Sequence, residues 1–152
     1  MQQLHFSATI NAPKEKVWNT MLEDATYREW TEAFHKGSYY EGSWDVGSKM
    51  LFLGPNEDGT TGGMVSRIAE NRPYDFISIE HLGEVANGVE DTTSERVASW
   101  AGAHENYTFT ENDGKTEVQV DLDFAEGNPE MLAMFEGMWP KALAKLKEIA
   151  EK

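Results

Sequence analysis

Cysteine is absent from the chain. Disulfide bonds, thiolate metal sites and a cysteine nucleophile are therefore excluded together. Disulfides are rare in reducing compartments, so the composition fits the cytoplasm, which is the location that we expect. Long hydrophobic runs are also missing, since none approaches the roughly 18 apolar residues of a membrane-spanning helix. The segment from Met1 to Phe6 lacks a basic stretch followed by an apolar one, so we expect neither a signal peptide nor membrane insertion.

Basic residues are scarce relative to acidic ones. The chain has 13 Lys and Arg against 27 Asp and Glu, which gives a formal net charge of −14. A surface of this sign repels nucleic acids and anionic lipids, so we expect no nucleic-acid partner. Solubility alone would also account for such a charge. The 152 residues suffice for one well-packed core, and we predict a single domain over residues 1–152.

The segment from Asn128 to Lys152 is predicted to form one long helix, because its apolar residues recur at helical spacing. Its apolar face consists of Leu132, Phe135, Trp139, Ala142, Leu143, Leu146 and Ile149. Met131, Met134 and Met138 lie along one edge of its first half. Flexible thioethers suit the wall of a cavity that adapts to a ligand. Pro140, close after Gly137, predicts a kink or a split between the two halves.

Most of the remaining chain has the alternation of β-strands. A first strand is expected from Leu4 to Ile10. Two short helices follow it: one begins near Pro13, and the other spans Asp24 to about Thr31. Further strands are predicted near Ser38–Glu41, Lys49–Leu53, Gly62–Asn71, Asp75–Leu82, Ala101–Glu111 and Thr116–Phe124. The fold class is therefore α+β: a helix-grip, in which a curved antiparallel sheet wraps around the long C-terminal helix, with two short helices after strand 1.

The acidic segment Gly83–Ser99 shows no periodicity and is predicted to be a long loop. Loops of this length in compact domains are often functional, so it could be a lid over a cavity mouth. A plain solvated loop explains the composition equally well. The sequence leaves these two alternatives open.

Several short motifs occur in an order that is more specific than any one of them. They are Ile10-Asn11-Ala12-Pro13-Lys14-Glu15-Lys16-Val17-Trp18, Tyr27-Arg28-Glu29-Trp30, Trp44-Asp45-Val46-Gly47-Ser48, Glu105-Asn106-Tyr107-Thr108-Phe109 before Asp113-Gly114-Lys115-Thr116, and Trp139-Pro140 with Leu143 and Leu146. In these motifs the chain resembles the SRPBCC superfamily, which includes START domains and the birch-pollen allergen. It is most similar to the branch related to the carboxy-terminal domain of the heat-shock-protein-90 ATPase activator.

The resemblance implies a helix-grip fold in which the concave sheet face and the terminal helix line a cavity. It does not identify a function, because the superfamily contains carriers, cyclases, hydroxylase subunits and co-chaperone domains. Strand alternation and the helical wheel then propose the wall of that cavity. The candidate ligand-binding residues are Met50, Phe52, Phe76, Glu80, Glu105, Tyr107, Phe109, Met134, Phe135 and Met138. Ordinary core packing would use the same apolar residues, but their aromatic and methionine content favours a pocket.

Glu105 is the sharpest polar candidate, because it shares a strand face with Tyr107 and Phe109. A buried carboxylate is costly unless it has a partner or takes up a proton, and either outcome suits a ligand anchor or a catalytic acid/base. The alternative is a structural carboxylate satisfied by Arg67, Arg96 or a tyrosine hydroxyl. Glu80 has a weaker case, since its strand could take the opposite register.

The sequence provides little support for other chemistry. In the opposite register of the Glu80 strand, His81 faces inward and becomes the acid/base candidate. None of the four histidines has the spacing of a metal site, and we expect neither a metal nor a cofactor. No nucleophile elbow or phosphate-binding loop is present.

Three functional hypotheses follow. The first is a protein that binds a small, largely apolar ligand between the sheet and the C-terminal helix, oriented by Glu105, Tyr107 or Glu80. The second is a co-chaperone-like interaction module with a chaperone partner and an exposed apolar patch near Trp100 or Trp44. The third is a cyclase- or hydrolase-type enzyme in which an inward carboxylate, Glu105, is the acid/base. The ligand and the oligomeric state are not encoded in any readable motif.

Overall fold

A computed structural model describes residues 2–124 and 129–152, without the side chain of Met131. The strands are β1 Gln2–Ile10, β2 Tyr39–Gly42, β3 Lys49–Pro55, β4 Thr61–Arg72, β5 Phe76–Ala86, β6 Val89–Asp91, β7 His104–Asn112 and β8 Lys115–Phe124. The helices are α1 Lys14–Leu22, α2 Asp24–Trp30, a 3-10 turn Thr31–Ala33, α3 Glu95–Ala98 and α4 Pro129–Ala150. None of the helices in the described ranges has both the length and the hydropathy needed to cross a bilayer.

The strands form one antiparallel sheet in the order β1-β8-β7-β5-β4-β3-β2, with β6 paired to β5. The sheet is curved and does not close into a barrel, so the predicted α+β helix-grip fold is confirmed. Val118, Val120 and Leu122 of β8 are buried, as their alternation predicts. The two residues of the β7–β8 turn, Asp113 and Gly114, both have positive φ, which fits the tight hairpin expected there.

The segment Gly83–Ser99 is not a long loop, so that prediction is wrong. Strand β5 continues to Ala86, turns at Asn87-Gly88 and returns as β6, and α3 follows. Asn87 and Gly88 have φ values of 53° and 76°, which two-residue hairpin turns require and which this dipeptide favours. Ser94 caps α3 by accepting a hydrogen bond from the Val97 amide. The segment therefore extends the sheet and does not have the form of a lid.

Helix α4 continues through Pro140, so the predicted split does not occur. Its expected start at Asn128 and the side chain of Met131 lie outside the described residues. The buried face contains Trp139, Ala142, Leu143 and Leu146, in agreement with the helical wheel. The main neighbours of α4 are β1, α1, α2 and the 3-10 turn.

Trp139 fills the space beneath the middle of α4. Its ring lies 4.8 Å from the Phe34 ring, 6.1 Å from the Trp30 ring and 6.1 Å from the Tyr107 ring, measured between centroids. The Phe6 ring stacks on its other side at 6.2 Å. These aromatic side chains replace the enclosed cavity that the sequence suggested for this region.

Truncating Trp139 to alanine should destabilise the protein by about 3–5 kcal/mol, because it removes a buried ring that touches several others. Met134 lies on the same helix but is 42% exposed, so Met134→Ala should change the free energy of unfolding by less than about 0.5 kcal/mol. Urea unfolding of both variants measures the difference. Equal destabilisation would show that the aromatic cluster does not hold α4 in place.

Candidate functional site

The pairing of β5 decides which side chains reach the concave face of the sheet. Ile77 pairs with Tyr107 and Ile79 with Glu105, so these residues share the inner face. Between Ser66 and Val65 the β4–β5 register shifts and Leu82 becomes an extra residue. Of the two registers that the sequence left open, the structure has the one with the isoleucines inward.

The inward placement of Phe76 and Glu80 is therefore wrong. Both occupy the outer face, where the Arg72 guanidinium lies 4.8 Å from the Phe76 ring centre. Glu80 pairs with Arg67, whose Nη2 donates to its Oε1 at 2.8 Å. The physical reason is burial: two isoleucines gain more from the core than Phe76 and a charged Glu80 would.

Four polar side chains on the inner face are joined by hydrogen bonds. Glu105 is one of them, and it lies on the inner face as expected. The Tyr107 hydroxyl donates to Oε2 of Glu105, and Nε2 of His81 lies 3.3 Å from Oε1 of the same carboxylate. The other ring nitrogen of His81, Nδ1, is 2.8 Å from the Ser66 hydroxyl. Ser66 thus fixes the ring plane of His81, and both His81 and Tyr107 hold the carboxylate. We call these four residues the Glu105 cluster.

The Glu105 cluster is buried at one end and open at the other. Ser66 is fully buried and Tyr107 is 3% exposed. The side chains of His81 and Glu105 retain 14% and 22% of their accessible surface. Buried Ser66 is therefore unsuited as a nucleophile, whereas Glu105 and His81 can be reached by a small molecule. The arrangement can accept a hydrogen bond at Glu105 and can move a proton between Glu105 and His81.

Of the structural partners considered for Glu105, the structure has the tyrosine hydroxyl. Arg67 pairs with Glu80 instead, and Arg96 pairs with Glu84. Glu105 thus has no arginine partner within the described residues, and the groups on its two oxygens are the Tyr107 hydroxyl and the His81 ring. A carboxylate in this state keeps acceptor capacity for a further donor.

Two tyrosines near Glu105 are held in the neutral form. Burial raises the pKa of Tyr107 well above its ordinary value, and the charge of Glu105 adds to the shift. Burial also raises the pKa of Tyr27, again with a contribution from Glu105. Tyr107 therefore remains a hydrogen-bond donor to Glu105 over the whole neutral pH range.

A cleft of about 260 Å³ lies between Tyr27 of α2 and strands β3 and β4, and no residue of the Glu105 cluster is in its lining. Its apolar lining includes Tyr27 and Phe52, whose ring centroids are 6.2 Å apart, and His35 stands on the opposite side. Tyr27 lines the cleft, and burial together with the charge of Glu105 raises the pKa of its phenol, so the two groups lie within electrostatic range of each other. The cleft is smaller than the 300–1,000 Å³ usual for drug-sized ligands, so it suits a small molecule.

Some of the other candidate residues are buried in the core, and others are partly or fully exposed. Met50 and Phe109 are buried, at 0% and 3% exposure, and serve the core. Phe135 and Met138 of α4 are half-buried, and Met134 is exposed. Met134 and Met138 are therefore not buried as the floor of an enclosed cavity would be.

Ser66 and Tyr27 belong to the site but were missed as site residues by sequence reasoning. Ser66 sits at a register shift, which local alternation cannot reveal. Tyr27 comes from α2, and nothing in the sequence placed it near Glu105. No group of three or more His, Cys, Asp or Glu that could hold a metal ion occurs in residues 2–124 and 129–152.

Comparison with known proteins agrees with this architecture. The family model described as "Activator of Hsp90 ATPase homolog 1-like protein" matches residues 11–151. The chain belongs to this family. The resemblance inferred from the sequence motifs is thereby confirmed. No curated protein sequence matches the chain.

Several solved structures share the fold of this Hsp90-activator-like chain. The solution structure of the Aha1 dimer from Colwellia psychrerythraea is 18% identical, covers 99% of this chain and 97% of that one, and has a TM-score of 0.71. Protein Ms6760 from Mycobacterium smegmatis is 16% identical over 97% and 89% of the two chains, with a TM-score of 0.72. A protein from Cytophaga hutchinsonii is 18% identical over 99% and 94%, also at 0.72. At these identities the likeness establishes the fold alone.

The raised tyrosine pKa values predict how stability depends on alkaline pH. An unfolded tyrosine loses its proton near pH 10, whereas Tyr107 keeps its proton in the native state. Above pH 10 the native state binds more protons than the unfolded state, so the free energy of unfolding falls as pH rises. Tyr107→Phe should make this slope shallower by up to about 1.4 kcal/mol per pH unit.

Urea unfolding of wild type and Tyr107→Phe between pH 8 and 11 measures this effect. Between pH 8 and 9 the phenol is protonated in both states, so the two curves should stay parallel there. They should converge above pH 10. Curves that remain parallel to pH 11 would contradict a neutral, buried Tyr107.

Proposed function

We propose that this Hsp90-activator-like protein binds a small, largely apolar ligand on the concave face of the sheet, beside the first half of α4. The observation that carries the proposal is Glu105: a carboxylate without an arginine partner in the described structure, set in an aromatic wall and 22% exposed. Such a group costs stability. A ligand that donates a hydrogen bond to it would use a feature that packing alone does not require.

The neighbourhood of Glu105 supports one type of ligand. Tyr27 and Phe52 offer aromatic surface in the cleft, and the half-buried Phe135 and Met138 of α4 would add an adaptable apolar edge. Glu105 supplies acceptor atoms, so the polar end of the ligand must donate, as a hydroxyl or an N–H does. A carboxylic acid is disfavoured, because it would bring a second negative charge to Glu105 and to a chain with a net charge of −14.

The isomers 1-hexanol and 1-methoxypentane separate the apolar contribution from the hydrogen bond to Glu105. They have the same atoms, but only the alcohol can donate a hydrogen bond. In NMR titrations, amide signals of residues 81, 105 and 107 should shift saturably with 1-hexanol. The ether should bind about tenfold more weakly, since it forfeits a hydrogen bond to a charged acceptor. Absence of any saturable shift would overturn the proposed binding function.

Glu105→Gln keeps the shape of the side chain and removes its charge. It should weaken 1-hexanol binding severalfold, by an amount of up to about 1.5 kcal/mol, and leave the ether unchanged. Glu117→Gln is the matched control. Glu117 is an exposed residue of β8 that does not face the inner side of the sheet, and its substitution changes the net charge equally. If both isomers bind equally well and neither variant matters, Glu105 does not orient the ligand.

The family match supports a second candidate, interaction with an Hsp90-type chaperone. The expected apolar patch around Trp100 or Trp44 is weak, because both side chains are half-buried. Val46, two residues after Trp44 on the loop between β2 and β3, is 62% exposed, and Val89 of β6 is 66% exposed. These positions allow a local test of the interaction.

If this chain activates an Hsp90, it should raise the ATPase rate of that chaperone at micromolar concentration. Val46→Asp should abolish the effect when the contact lies near Trp44, because it places a charge in a desolvated surface. Val89→Asp, at a similarly exposed position, is the control. Failure of the wild-type chain to form any complex at micromolar concentration would exclude this candidate.

A further inference from the structure

A second cleft, of about 380 Å³, lies between the end of α1 and the loop that joins β2 to β3. Its lining residues are Trp18, Asn19, Leu22, Glu23, Asp24, Tyr40, Trp44 and Asn71. It shares no lining residue with the smaller cleft beside Tyr27. The Glu105 ligand therefore does not account for it.

Aromatic side chains form the walls of this cleft, and the polar tips of two of them are already engaged. The Tyr40 hydroxyl and the Trp44 Nε1 both donate to the Leu22 carbonyl oxygen, at 2.7 and 3.0 Å. The Tyr40 and Trp44 rings contact each other edge to face, with centroids 5.2 Å apart. With their donors used, these two rings offer π surface to an occupant.

A buried acceptor in the cleft lacks a partner. The Asn71 Nδ2 donates to the Trp44 carbonyl oxygen at 2.8 Å, which fixes the orientation of the amide. Its Oδ1 is buried and has no hydrogen-bond partner among the described residues. This oxygen has no accessible surface, so a molecule in the cleft does not reach it, and the unpaired acceptor remains a local cost to stability.

The charged residues that line this cleft are both acidic. Glu23 and Asp24 contribute carboxylates, and neither lysine nor arginine is among the lining residues. Asp24 is paired with Arg28 across one helical turn, at 3.1 Å, whereas Glu23 takes part in none of the ion pairs of the described residues. An anion is repelled here, and a cation gains from both the carboxylate and the ring faces.

We propose that this aromatic cleft is a binding site for a small organic cation, an alkylammonium or alkylguanidinium group. The charge lies against the Tyr40 and Trp44 rings, and Glu23 balances it from the rim. The site is separate from the Glu105 cluster.

The indole N–H signals of the five tryptophans provide a direct readout in a titration with n-butylammonium chloride. Trp44→Phe and Trp18→Phe assign the relevant signals, and sodium chloride keeps the ionic strength constant. The Trp18 and Trp44 signals should shift saturably with n-butylammonium. The neutral isostere n-butanol should bind at least about fivefold more weakly, because it lacks the cation–π and carboxylate attraction.

Two charge-neutralising variants localise the effect. Glu23→Gln should weaken n-butylammonium binding about threefold, as expected for an exposed carboxylate. Glu29→Gln, an exposed position on α2 with the same change in net charge, should leave the affinity unchanged. Equal loss in both variants would mean that only the overall charge attracts the cation, and the site would be rejected.

Equal affinity for n-butylammonium and n-butanol, or no saturable shift of the two indoles, would also overturn the proposal. None of these results bears on the Glu105 cluster, whose reporters are the amides of residues 81, 105 and 107. The two sites therefore succeed or fail independently.

Discussion

The packing of Trp139 against the inner aromatic residues is the interaction on which the rest of the structure depends. The Trp139 ring meets Phe6 of β1, Trp30 of α2, Phe34 after the 3-10 turn and Tyr107 of β7. It therefore ties the closing helix to the sheet and to both short helical elements at once. The same contacts fill the middle of the fold, and the two clefts described above lie outside them.

Tyr107 connects this core to the candidate site. Its ring belongs to the aromatic cluster, while its hydroxyl donates to Glu105. A side chain held by packing at one end presents a fixed donor at the other, which is how a rigid core orients a polar group. Glu105 then faces the open region with His81 on its second oxygen, and the buried hydroxyl of Ser66 sets the His81 ring. Stability and the geometry of the candidate site are thus coupled through one tyrosine.

The fold was readable from the sequence wherever one face of an element is buried and the other is solvated. The alternation of β8 and the helical spacing of α4 predicted their buried residues correctly. The strand Phe76–Glu80 was ambiguous, because aromatic and isoleucine residues occupy alternate faces and either set could be buried. The β6 hairpin was missed although Asn87-Gly88 is a strong turn signal, because its strands carry acidic residues that suggested a loop.

The candidate site was only partly predictable, for a physical reason. Glu105 and Tyr107 lie two residues apart on one strand, so alternation alone places them together. Ser66 and His81 reach them from neighbouring strands across a register shift, and Tyr27 reaches them from a helix. Such contacts depend on pairing and packing over long sequence distances, which periodicity does not encode.

The aromatic core and the polar group at its edge together lead to one central claim: Glu105 is the acceptor that orients a small apolar ligand. A crystal structure of the protein soaked in 1-hexanol tests this claim most directly. We expect the alcohol oxygen within hydrogen-bond distance of the Glu105 carboxylate and the alkyl chain against Phe52 and Met138. Hexanol bound only elsewhere, or side chains that close the space and shield Glu105 from solvent, would contradict the account.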